Sequence, residues 1–379
     1  MTETKKKIFF LINNLGGGGA EKVLISLLEH ICNDDGYDIT VQTIFDEGIY
    51  RSRIPKNIAY KTIVRNPGLT KRRIMHRVIK YLPSSLLHKL FVKGKYDIEI
   101  AFLEGASSKI ISGANKKSRT IGWVHTDLKK LSRKETGFVR LKAERRCYRR
   151  FSDIVCVSGD ARKAFVEKMA YEDPVKVILN PIDRRAILES GSDAGSFEKK
   201  RFTIVSVGRL ERLKGYDRLI EVAGRLIGEG YDFDLLILGE GALRDALSKL
   251  VEELSLDDHV SMPGFVDNPH YVVKNCDLFV CSSHTEGLPL ALSEALVLGV
   301  PIVSTECTGP AELLKNGRYG MLVESSADGL YGGIKSVLDD PDLLEELRVK
   351  AVERGELFDV KTAIDHVRKL LDGAECGDE

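Results

Sequence analysis

The stretch DLFVCSSHTEGLPLALSEALVLGVP, residues 277–301, decides the fold because it holds one complete strand–loop–helix unit. Its opening apolar run, which ends at Cys281, predicts a buried parallel strand. Pro289 suits the first position of a helix, since its missing N–H would be unpaired there in any case. Gly299 is expected to end that helix as a left-handed cap, and Pro301 prevents the helix from continuing.

Two glutamates mark this unit. Glu286 comes just before the predicted helix N-terminus, and Glu294 is expected about two turns along the helix. Unpaired N–H groups and the helix dipole make a helix N-terminus a site for anions. A phosphate would fit there, and the carboxylates could accept hydrogen bonds from sugar hydroxyls. The plain alternative is that Glu286 is a helix-start charge and Glu294 belongs to a solvated face.

Apolar strand-like runs alternate with helical patterns along the whole chain, which predicts parallel sheets with crossover helices. We predict twelve strands, at Ile8–Ile12, Ile39–Ile44, Ile98–Phe102, Thr120–Val124, Ile154–Val157, Val175–Leu179, Phe202–Val207, Phe233–Leu238, Val260–Met262, Leu278–Cys281, Ile302–Ser304 and Met321–Val323. A length of 379 residues favours two domains of about 180 residues each. A polar stretch at 190–196 indicates the linker, so the expected domains are 1–185 and 186–359, followed by a helical segment at 360–379.

The composition is that of a soluble globular protein, with 43% hydrophobic and 30% charged residues. No apolar run approaches the ~18 residues that span a bilayer. Seven cysteines without a C-x-x-C spacing argue against a disulfide framework or a zinc cluster. We therefore expect a protein of the reducing cytoplasm.

Positive charge is concentrated in the first part of the chain. Residues 1–150 contain 31 basic and 14 acidic residues, and 51–150 contain 27 and 6. Within them, 71–93 is a basic amphipathic segment, with apolar residues predicted on one helical face at Ile74, Met75, Val78, Ile79 and Leu82. Such a segment is typical of binding to an anionic membrane surface. The alternative is a solvated helix that packs on its own domain.

Two loops that follow predicted strands suit a diphosphate. Arg209 and Lys214 lie on a glycine-flanked loop, where two cations could flank a diphosphate and stabilise a leaving nucleotide. The loop GGGGAE at residues 16–21 lets backbone amides approach a ligand closely. Glu21 stands where a dinucleotide fingerprint needs glycine, so the loop does not predict nicotinamide binding. A basic surface loop and a flexible turn are the respective alternatives.

Further polar groups end other predicted strands, at Glu104, His125, Asp127, Glu240 and the loop 263–268. A lone histidine such as His125 is more often structural than catalytic. The pair Asp232 and Asp234 has the D-x-D spacing of some metal sites, but it precedes the core of a strand and lies at the wrong end of the sheet. We therefore expect no catalytic metal and no other cofactor.

The E-x7-E spacing of Glu286 and Glu294, with PIVST from Pro301, GPAELL from Gly309 and GMLV from Gly320, resembles the signature of retaining glycosyltransferases of family 4, which use nucleotide-sugar donors. The resemblance implies the GT-B fold, an α/β class with two doubly wound Rossmann-like domains facing across a cleft, the N-terminal one on the acceptor side and the C-terminal one binding the nucleotide-sugar donor. In that fold the helical segment at 360–379 crosses back to the N-terminal domain. It implies catalytic roles for His125, Glu286, Arg209 and Lys214. It implies donor contacts at Gly18, Gly19, Arg209, Lys214, Glu240, Phe265, Val266, Glu286, Gly287, Leu288, Leu290 and Glu294, and weaker acceptor-side candidates at Glu104 and Asp127.

The resemblance implies transfer of a hexose or N-acetylhexosamine from a nucleotide-sugar, UDP-linked in the reading we favour, to a lipid-linked saccharide of a surface polysaccharide or glycan. Such an enzyme would be cytoplasmic and peripheral on the inner face of the cell membrane. A nucleotide-sugar epimerase of similar fold is one alternative. A basic nucleic-acid-binding protein is another, although no aromatic stacking pattern supports nucleic acid as a partner. The sugar, the acceptor, the role of His125 and the oligomeric state stay open.

Overall fold

The computed structural model describes residues 5–130, 137–193 and 197–374, so the end of the predicted linker at 194–196 lies outside the described residues. Contacts divide the chain into two compact units. Unit 1 contains Met1–Pro181 and Lys361–Glu379, and unit 2 contains Ile182–Val360. The first boundary lies four residues before the predicted one, at Pro181 in the segment between β7 and α7.

Unit 1 is built on a parallel sheet of seven strands in the order β3-β2-β1-β4-β5-β6-β7. The strands are β1 (Lys6–Ile12), β2 (Tyr37–Phe45), β3 (Ala59–Val64), β4 (Ile98–Ala101), β5 (Arg119–Val124), β6 (Asp153–Cys156) and β7 (Val175–Val177). The helices between them are α1 (Gly19–Ile31), α2 (Leu69–Tyr81), α3 (Ser84–Phe91), α4 (Ala106–Ile111), α5 (Leu141–Tyr148) and α6 (Gly159–Met169). The strand order reverses between β1 and β4, as in doubly wound folds.

Unit 2 contains a parallel sheet of six strands in the order β10-β9-β8-β11-β12-β13. The strands are β8 (Phe202–Val207), β9 (Phe233–Leu238), β10 (Val260–Gly264), β11 (Leu278–Cys281), β12 (Ile302–Thr305) and β13 (Met321–Val323). The helices are α7 (Arg184–Ser190), α8 (Tyr216–Gly228), α9 (Arg244–Glu253), α10 (Pro269–Lys274), α11 (Leu290–Val297), α12 (Thr308–Leu313), α13 (Ala327–Asp339) and α14 (Pro341–Glu356). The last helix, α15 (Val360–Asp372), packs in unit 1.

Helices cover both faces of each sheet, which is why the central strands are continuous apolar runs. All five residues of Ile8–Ile12 in β1 are fully buried. The twelve predicted strands are all present, and both units have the predicted Rossmann-like topology. The strand that the sequence did not predict is β3, an edge strand whose Ala59 and Lys61 are exposed. As an edge strand, β3 pairs with β2 alone, and its partly exposed residues leave only a weak apolar signal in the sequence.

Helix α2 corrects one prediction. Its proposed insertion face belongs to the core of unit 1, since Ile79 is buried and Met75, Val78 and Leu82 pack on that core. Helical periodicity identifies an apolar face but does not say what the face packs against. The residues of α2 that are exposed include Leu69, Arg73, Ile74, Arg77 and Tyr81.

Within the described ranges, no helix combines the length and the apolar character needed to cross a membrane.

Candidate functional site

The loops that follow β8 and β11 are joined by hydrogen bonds at the carboxyl end of the unit 2 sheet. The His284 N–H donates to the Leu213 carbonyl at 2.8 Å, and Ser282 Oγ donates to the Lys214 carbonyl at 2.8 Å. These two strands are neighbours at the point where the strand order reverses. Doubly wound sheets bind ligands at such a point, so this pair of loops is the candidate site of unit 2.

Lys214 and Glu286 form an ion pair that links these loops. Lys214 Nζ lies 2.5 Å from Glu286 Oε1, and Ser283 Oγ donates to the same oxygen at 2.6 Å. The side chains are only 26% and 14% exposed. Burial by itself would lower the pKa of Lys214, but the Glu286 carboxylate raises that pKa above its usual value. The ammonium group is therefore charged at neutral pH, and it has donors beyond the one that Glu286 uses.

Helix α11 follows Glu286, and its position departs slightly from the prediction. Pro289 is the N-cap residue and not the first helical residue. Glu294 is the fifth residue of α11, about one turn in, and not two turns along. The predicted cap at Gly299 is confirmed, because its φ of +71° lies in the left-handed region. The N–H groups of Gly299 and Val300 donate to the carbonyls of Leu296 and Ala295 at 3.0 Å, as in a Schellman motif.

The loops after β8, β9 and β10 approach one another through glycine. The N–H of Gly239 donates to the Gly264 carbonyl at 2.9 Å, and the Gly208 N–H donates to the Leu238 carbonyl at 2.9 Å. Gly239 has a φ of +145°, and a Cβ there would overlap the Gly208 carbonyl oxygen. This close approach requires glycine at position 239.

The other predicted donor residues of unit 2 lie on these loops, on the loop after β11 and at the start of α11. Arg209 is half-exposed and pairs with Glu211 at 3.2 Å, while Glu240 pairs with Arg244 at 3.0 Å. Phe265 is 44% exposed, which is unusual for so large an apolar side chain. The remaining predicted positions are wholly or partly buried, and they are Val266, Gly287, Leu288 and Leu290.

Arg218 of α8 supports the site although the sequence did not single it out. Its guanidinium is buried, and Nε donates to the Ser282 carbonyl at 3.0 Å while Nη1 reaches Ser325 Oγ at 3.4 Å. Ser282 also contacts Lys214, so Arg218 anchors the loop that holds the ion pair. The sequence signal was a single arginine within the apolar periodicity of α8, and the fold was needed to interpret it.

His270 is the second site residue that the sequence did not single out. It lies in the first turn of α10, and its Nε2 is 3.2 Å from Glu294 Oε2. Both ring nitrogens are buried and have no hydrogen-bond partner with good geometry. His270 lies two residues beyond the predicted loop 263–268, but nothing in the sequence indicated that it would contact α11.

The glycine-rich loop of unit 1 leads into α1 as predicted. Gly18 is the N-cap residue and Gly19 is the first residue of the helix. The buried carboxylate of Glu21 folds back against Gly18, and a Cβ at that glycine would collide with it. Gly16 and Gly19 are exposed, so backbone forms the surface of this loop, and the Glu21 carboxylate lies beneath it.

His125, Glu104 and Asp127 lie on the loops after β4 and β5. Glu104 accepts hydrogen bonds from the His125 N–H at 3.0 Å and from Thr126 Oγ1 at 2.7 Å. Burial lowers the pKa of His125 to about 3, so its imidazole is neutral. The Nε2 atom of that ring is buried without a hydrogen-bond partner. Asp127 accepts a hydrogen bond from the Lys129 N–H at 2.9 Å.

Asp232 and Asp234 lie at the amino end of β9. Both pair with Arg201, at 2.7 and 3.2 Å. Among the residues that the structure describes, no three His, Cys, Asp or Glu side chains are grouped as a metal site. The expectation that the chain needs no catalytic metal stays a prediction.

Comparison with known families covers most of the chain in two parts. Residues 17–185 match the family Glycosyltransferase Family 4, and residues 191–357 match the family Glycosyl transferases group 1.

Two similar proteins come from Campylobacter jejuni. One is N-acetylgalactosamine-N,N'-diacetylbacillosaminyl-diphospho-undecaprenol 4-alpha-N-acetylgalactosaminyltransferase, with 34% identity over 52% of this chain; the chain spans about half, 53%, of that relative's length. The other is GalNAc-alpha-(1->4)-GalNAc-alpha-(1->3)-diNAcBac-PP-undecaprenol alpha-1,4-N-acetyl-D-galactosaminyltransferase, with 27% identity over 96% of this chain and 98% of the relative.

Solved structures share the fold over almost the whole chain. HepE of Anabaena, in complex with UDP-glucose, has a TM-score of 0.75 and 20% identity, and the match covers 97% of this chain and 99% of that one. TarM of S. aureus, in complex with Fondaparinux, alpha-GlcNAc-glycerol and UDP, has a TM-score of 0.75 and 14% identity, with 97% and 100% covered. At such identities the likeness concerns the fold alone.

Proposed function

Since the chain belongs to the glycosyltransferases of group 1 and family 4, we propose that it transfers a hexose or an N-acetylhexosamine from a UDP-linked donor to a lipid-linked saccharide, with retention of anomeric configuration. The observation that carries the proposal is the Lys214–Glu286 ion pair at the start of α11. A protonated ammonium group and a helix N-terminus lie at the carboxyl ends of parallel strands, where a diphosphate is expected.

Lys214 and Arg209 would stabilise the charge that develops on the diphosphate as the glycosidic bond breaks. Such preorganised charge is usually the largest contribution to catalysis. Glu286 keeps Lys214 protonated and in place, and Glu294 would accept hydrogen bonds from the donor ribose. The exposed ring of Phe265 is available to stack on the base.

For retention, we propose attack on the same face of the sugar from which the diphosphate leaves. The leaving phosphate then takes the proton of the acceptor hydroxyl, and no enzyme nucleophile is needed. The lowered pKa of His125 fits a neutral hydrogen-bonding role and not that of a cation or a proton donor. In this mechanism no step requires a metal ion.

The proposed substrates are supported by the similar proteins. Two relatives are named as N-acetylgalactosaminyltransferases that act on undecaprenol-linked saccharides, and structures of the same fold contain UDP or UDP-glucose. A lipid-linked acceptor also fits the positive charge of residues 51–150.

We also propose that unit 1 docks on the anionic inner face of the cell membrane, on the cytoplasmic side. The docking surface is the outward side of α2, which consists of Arg73, Ile74, Arg77 and Tyr81 and is here called the α2 surface. Two arginines beside exposed Ile74 and Tyr81 combine electrostatic attraction with shallow apolar insertion.

The test of the transferase is a panel of radiolabelled UDP- and GDP-sugars, incubated with the protein and with undecaprenol-linked saccharides. We expect sugar transfer from a UDP-sugar, a product with retained configuration by NMR, and an unchanged rate in EDTA. Release of an altered nucleotide-sugar without acceptor would indicate the epimerase instead. Turnover of no nucleotide-sugar would contradict both enzymes.

The proposed diphosphate site is tested with Lys214→Ala. It should weaken UDP binding by about tenfold or more, because a charge-assisted hydrogen bond contributes about 1.5–3 kcal/mol, while uridine binding changes little. Lys249→Ala removes an exposed lysine of the same unit and serves as the control. Equal losses for UDP and uridine would mean that Lys214 acts only on the fold.

A further inference from the structure

His270 and Glu294 form a contact that the family signature does not include. The two side chains come from different helices, α10 and α11, and are only 14% and 11% exposed. His270 Nε2 lies 3.2 Å from Glu294 Oε2, yet neither ring nitrogen makes a hydrogen bond of good geometry. A buried imidazole with both nitrogens unsatisfied costs free energy, which calls for a physical reason.

The position of the ring is fixed by its own helix. The Asn268 side chain caps α10 by accepting a hydrogen bond from the Tyr271 N–H at 3.2 Å. The same side chain accepts from Ser190 Oγ at 2.8 Å and donates to the Ser190 carbonyl at 2.8 Å. Ser190 ends α7, so the start of α10 is fastened to a second helix. His270 is thus a rigid group beside the more flexible side chain of Glu294.

A carboxylate that must accept hydrogen bonds from two neighbouring hydroxyls has to be held in one orientation. Glutamate has several rotatable bonds, and fixing them at the moment of binding costs affinity. A donor N–H at one oxygen would fix the orientation beforehand, and each carboxylate oxygen keeps a further lone pair for the ligand. An imidazole N–H at Nε2 is such a donor.

We propose that His270 is a positioning residue that orients the Glu294 carboxylate towards the ribose hydroxyls of the donor nucleotide. The inference rests on the proposed function and deepens it, because it assigns the recognition of ribose to a pair of side chains. A small rotation of the Glu294 carboxylate in the free protein would complete the hydrogen bond that the structure leaves misaligned. His270 itself does not touch the ligand.

The test compares UDP with 2′,3′-dideoxy-UDP by calorimetry on the full-length protein. The wild type should bind UDP at least about tenfold more tightly, since hydroxyl hydrogen bonds to a charged group are worth about 1.5–3 kcal/mol. His270→Phe should lose most of that preference through weaker UDP binding, with the affinity for dideoxy-UDP nearly unchanged. His270→Gln, which keeps an N–H donor of similar reach, should retain much of the preference.

Two further variants make the test specific. Glu294→Gln should lose the preference as well, and combining it with His270→Phe should add little, because the two side chains act on the same hydroxyls. Tyr271→Phe, in the same turn of α10, should behave as wild type. Equal weakening of both nucleotides in His270→Phe would mean that His270 only supports the fold, and would overturn the inference. A wild type that binds neither nucleotide would contradict the proposed function itself.

Discussion

The ring of His125 lies 4.8 Å from the ring of Phe102, in surroundings that lower its pKa to about 3. Lys214 is also largely buried, but Glu286 keeps its pKa above the usual value. The two pKa values shift in opposite directions because the two carboxylates act on different groups. Glu286 pairs with the ammonium group of Lys214, whereas Glu104 accepts a hydrogen bond from the backbone N–H of His125 and not from its ring. At neutral pH the buried imidazole of His125 is therefore neutral, whereas the largely buried ammonium group of Lys214 is charged.

His125 should make the protein sensitive to mild acid. The unfolded chain binds a proton at this histidine near pH 6.5, while the folded protein resists it until about pH 3. The contribution of neutral His125 to the unfolding free energy is therefore fully present above pH 6.5. It is lost as the pH falls from 6.5 towards 3, by up to about 1.4 kcal/mol per pH unit. Between pH 7.5 and 5, the unfolding free energy of His125→Asn, measured with urea, should fall by less than that of wild type.

The control for this experiment is His76→Asn, which replaces an exposed histidine of α2. It should keep the wild-type pH dependence. A His125→Asn variant with the same slope as wild type would contradict the buried, neutral state of His125.

At the scale of single residues, the sequence predicted those that are identified by a preceding strand and a neighbouring glycine or proline. Lys214 and Glu286 were found because each follows a strand and stands beside glycine or proline. His270 was not, since its partner lies 24 positions away on another helix and contacts of that kind depend on packing. Glu294 was placed almost one turn too far along, and the later start of the helix, at Leu290 instead of Pro289, accounts for only one residue of that difference.

Among the connecting elements, the loop after β9 has little tolerance for added volume. Gly239→Ala would place a methyl group on the Gly208 carbonyl in a backbone conformation that alanine rarely adopts. We expect a loss of at least about 1–3 kcal/mol in unfolding free energy, with weaker UDP binding, measured by urea unfolding and calorimetry.

Gly332→Ala is the matched control, because it lies within α13 and a Cβ there meets no atom within 4 Å. It should raise stability by about 0.5–1 kcal/mol through helix propensity. Gly239→Ala with wild-type stability would mean that the loops after β8 and β9 are looser than described.

The α2 surface is tested by charge reversal. Each basic residue near an anionic leaflet is worth about 1 kcal/mol, or about fivefold in affinity. Arg73→Glu with Arg77→Glu should therefore release the protein from anionic liposomes in cosedimentation, and wild-type binding should weaken as salt screens exposed charges. Arg72 is left unchanged because it pairs with Glu47 and lies over the Phe45 ring.

Reversing two exposed cations of unit 2, Arg185→Glu with Lys249→Glu, supplies the control with the same net charge change. It should cosediment as wild type does. Unaltered binding of the Arg73 and Arg77 variant would remove the α2 surface from consideration. The sequence indicated a membrane segment from its charge, but four of the five apolar residues that it assigned to insertion pack in the core, because only packing decides which apolar residues the core takes.

On the scale of the whole molecule, α15 belongs to unit 1 although unit 2 separates it in sequence. It buries Ile364, Val367, Leu370 and Leu371, and Arg368 pairs with Asp34 at 2.9 Å. Lys6 Nζ donates to the Leu371 carbonyl at 3.0 Å. The sequence predicted this helix, and the family resemblance predicted that it packs on the first domain, since amphipathic periodicity alone does not name the partner of a helix.

Leu370→Ala should destabilise unit 1 selectively. Leu370 is fully buried, and such truncations cost about 2–5 kcal/mol. Hydrogen exchange should accelerate in β1, β4 and β5 while the strands of unit 2 stay protected, because each unit has a separate core. Leu357→Ala, at an exposed leucine, is the control and should change neither. Equal acceleration in both units would show that they unfold together.

The return of α15 to unit 1 also fixes an order of events on the ribosome. The first 181 residues emerge early, but the helix that completes their core is made only after unit 2, about 190 residues later. At about 5–20 residues per second, the nascent first domain waits roughly 10–40 s with an uncovered apolar groove. Unit 2 emerges as one uninterrupted segment and has no such wait. The nascent N-terminal half is therefore the part of this protein that most needs a chaperone during translation.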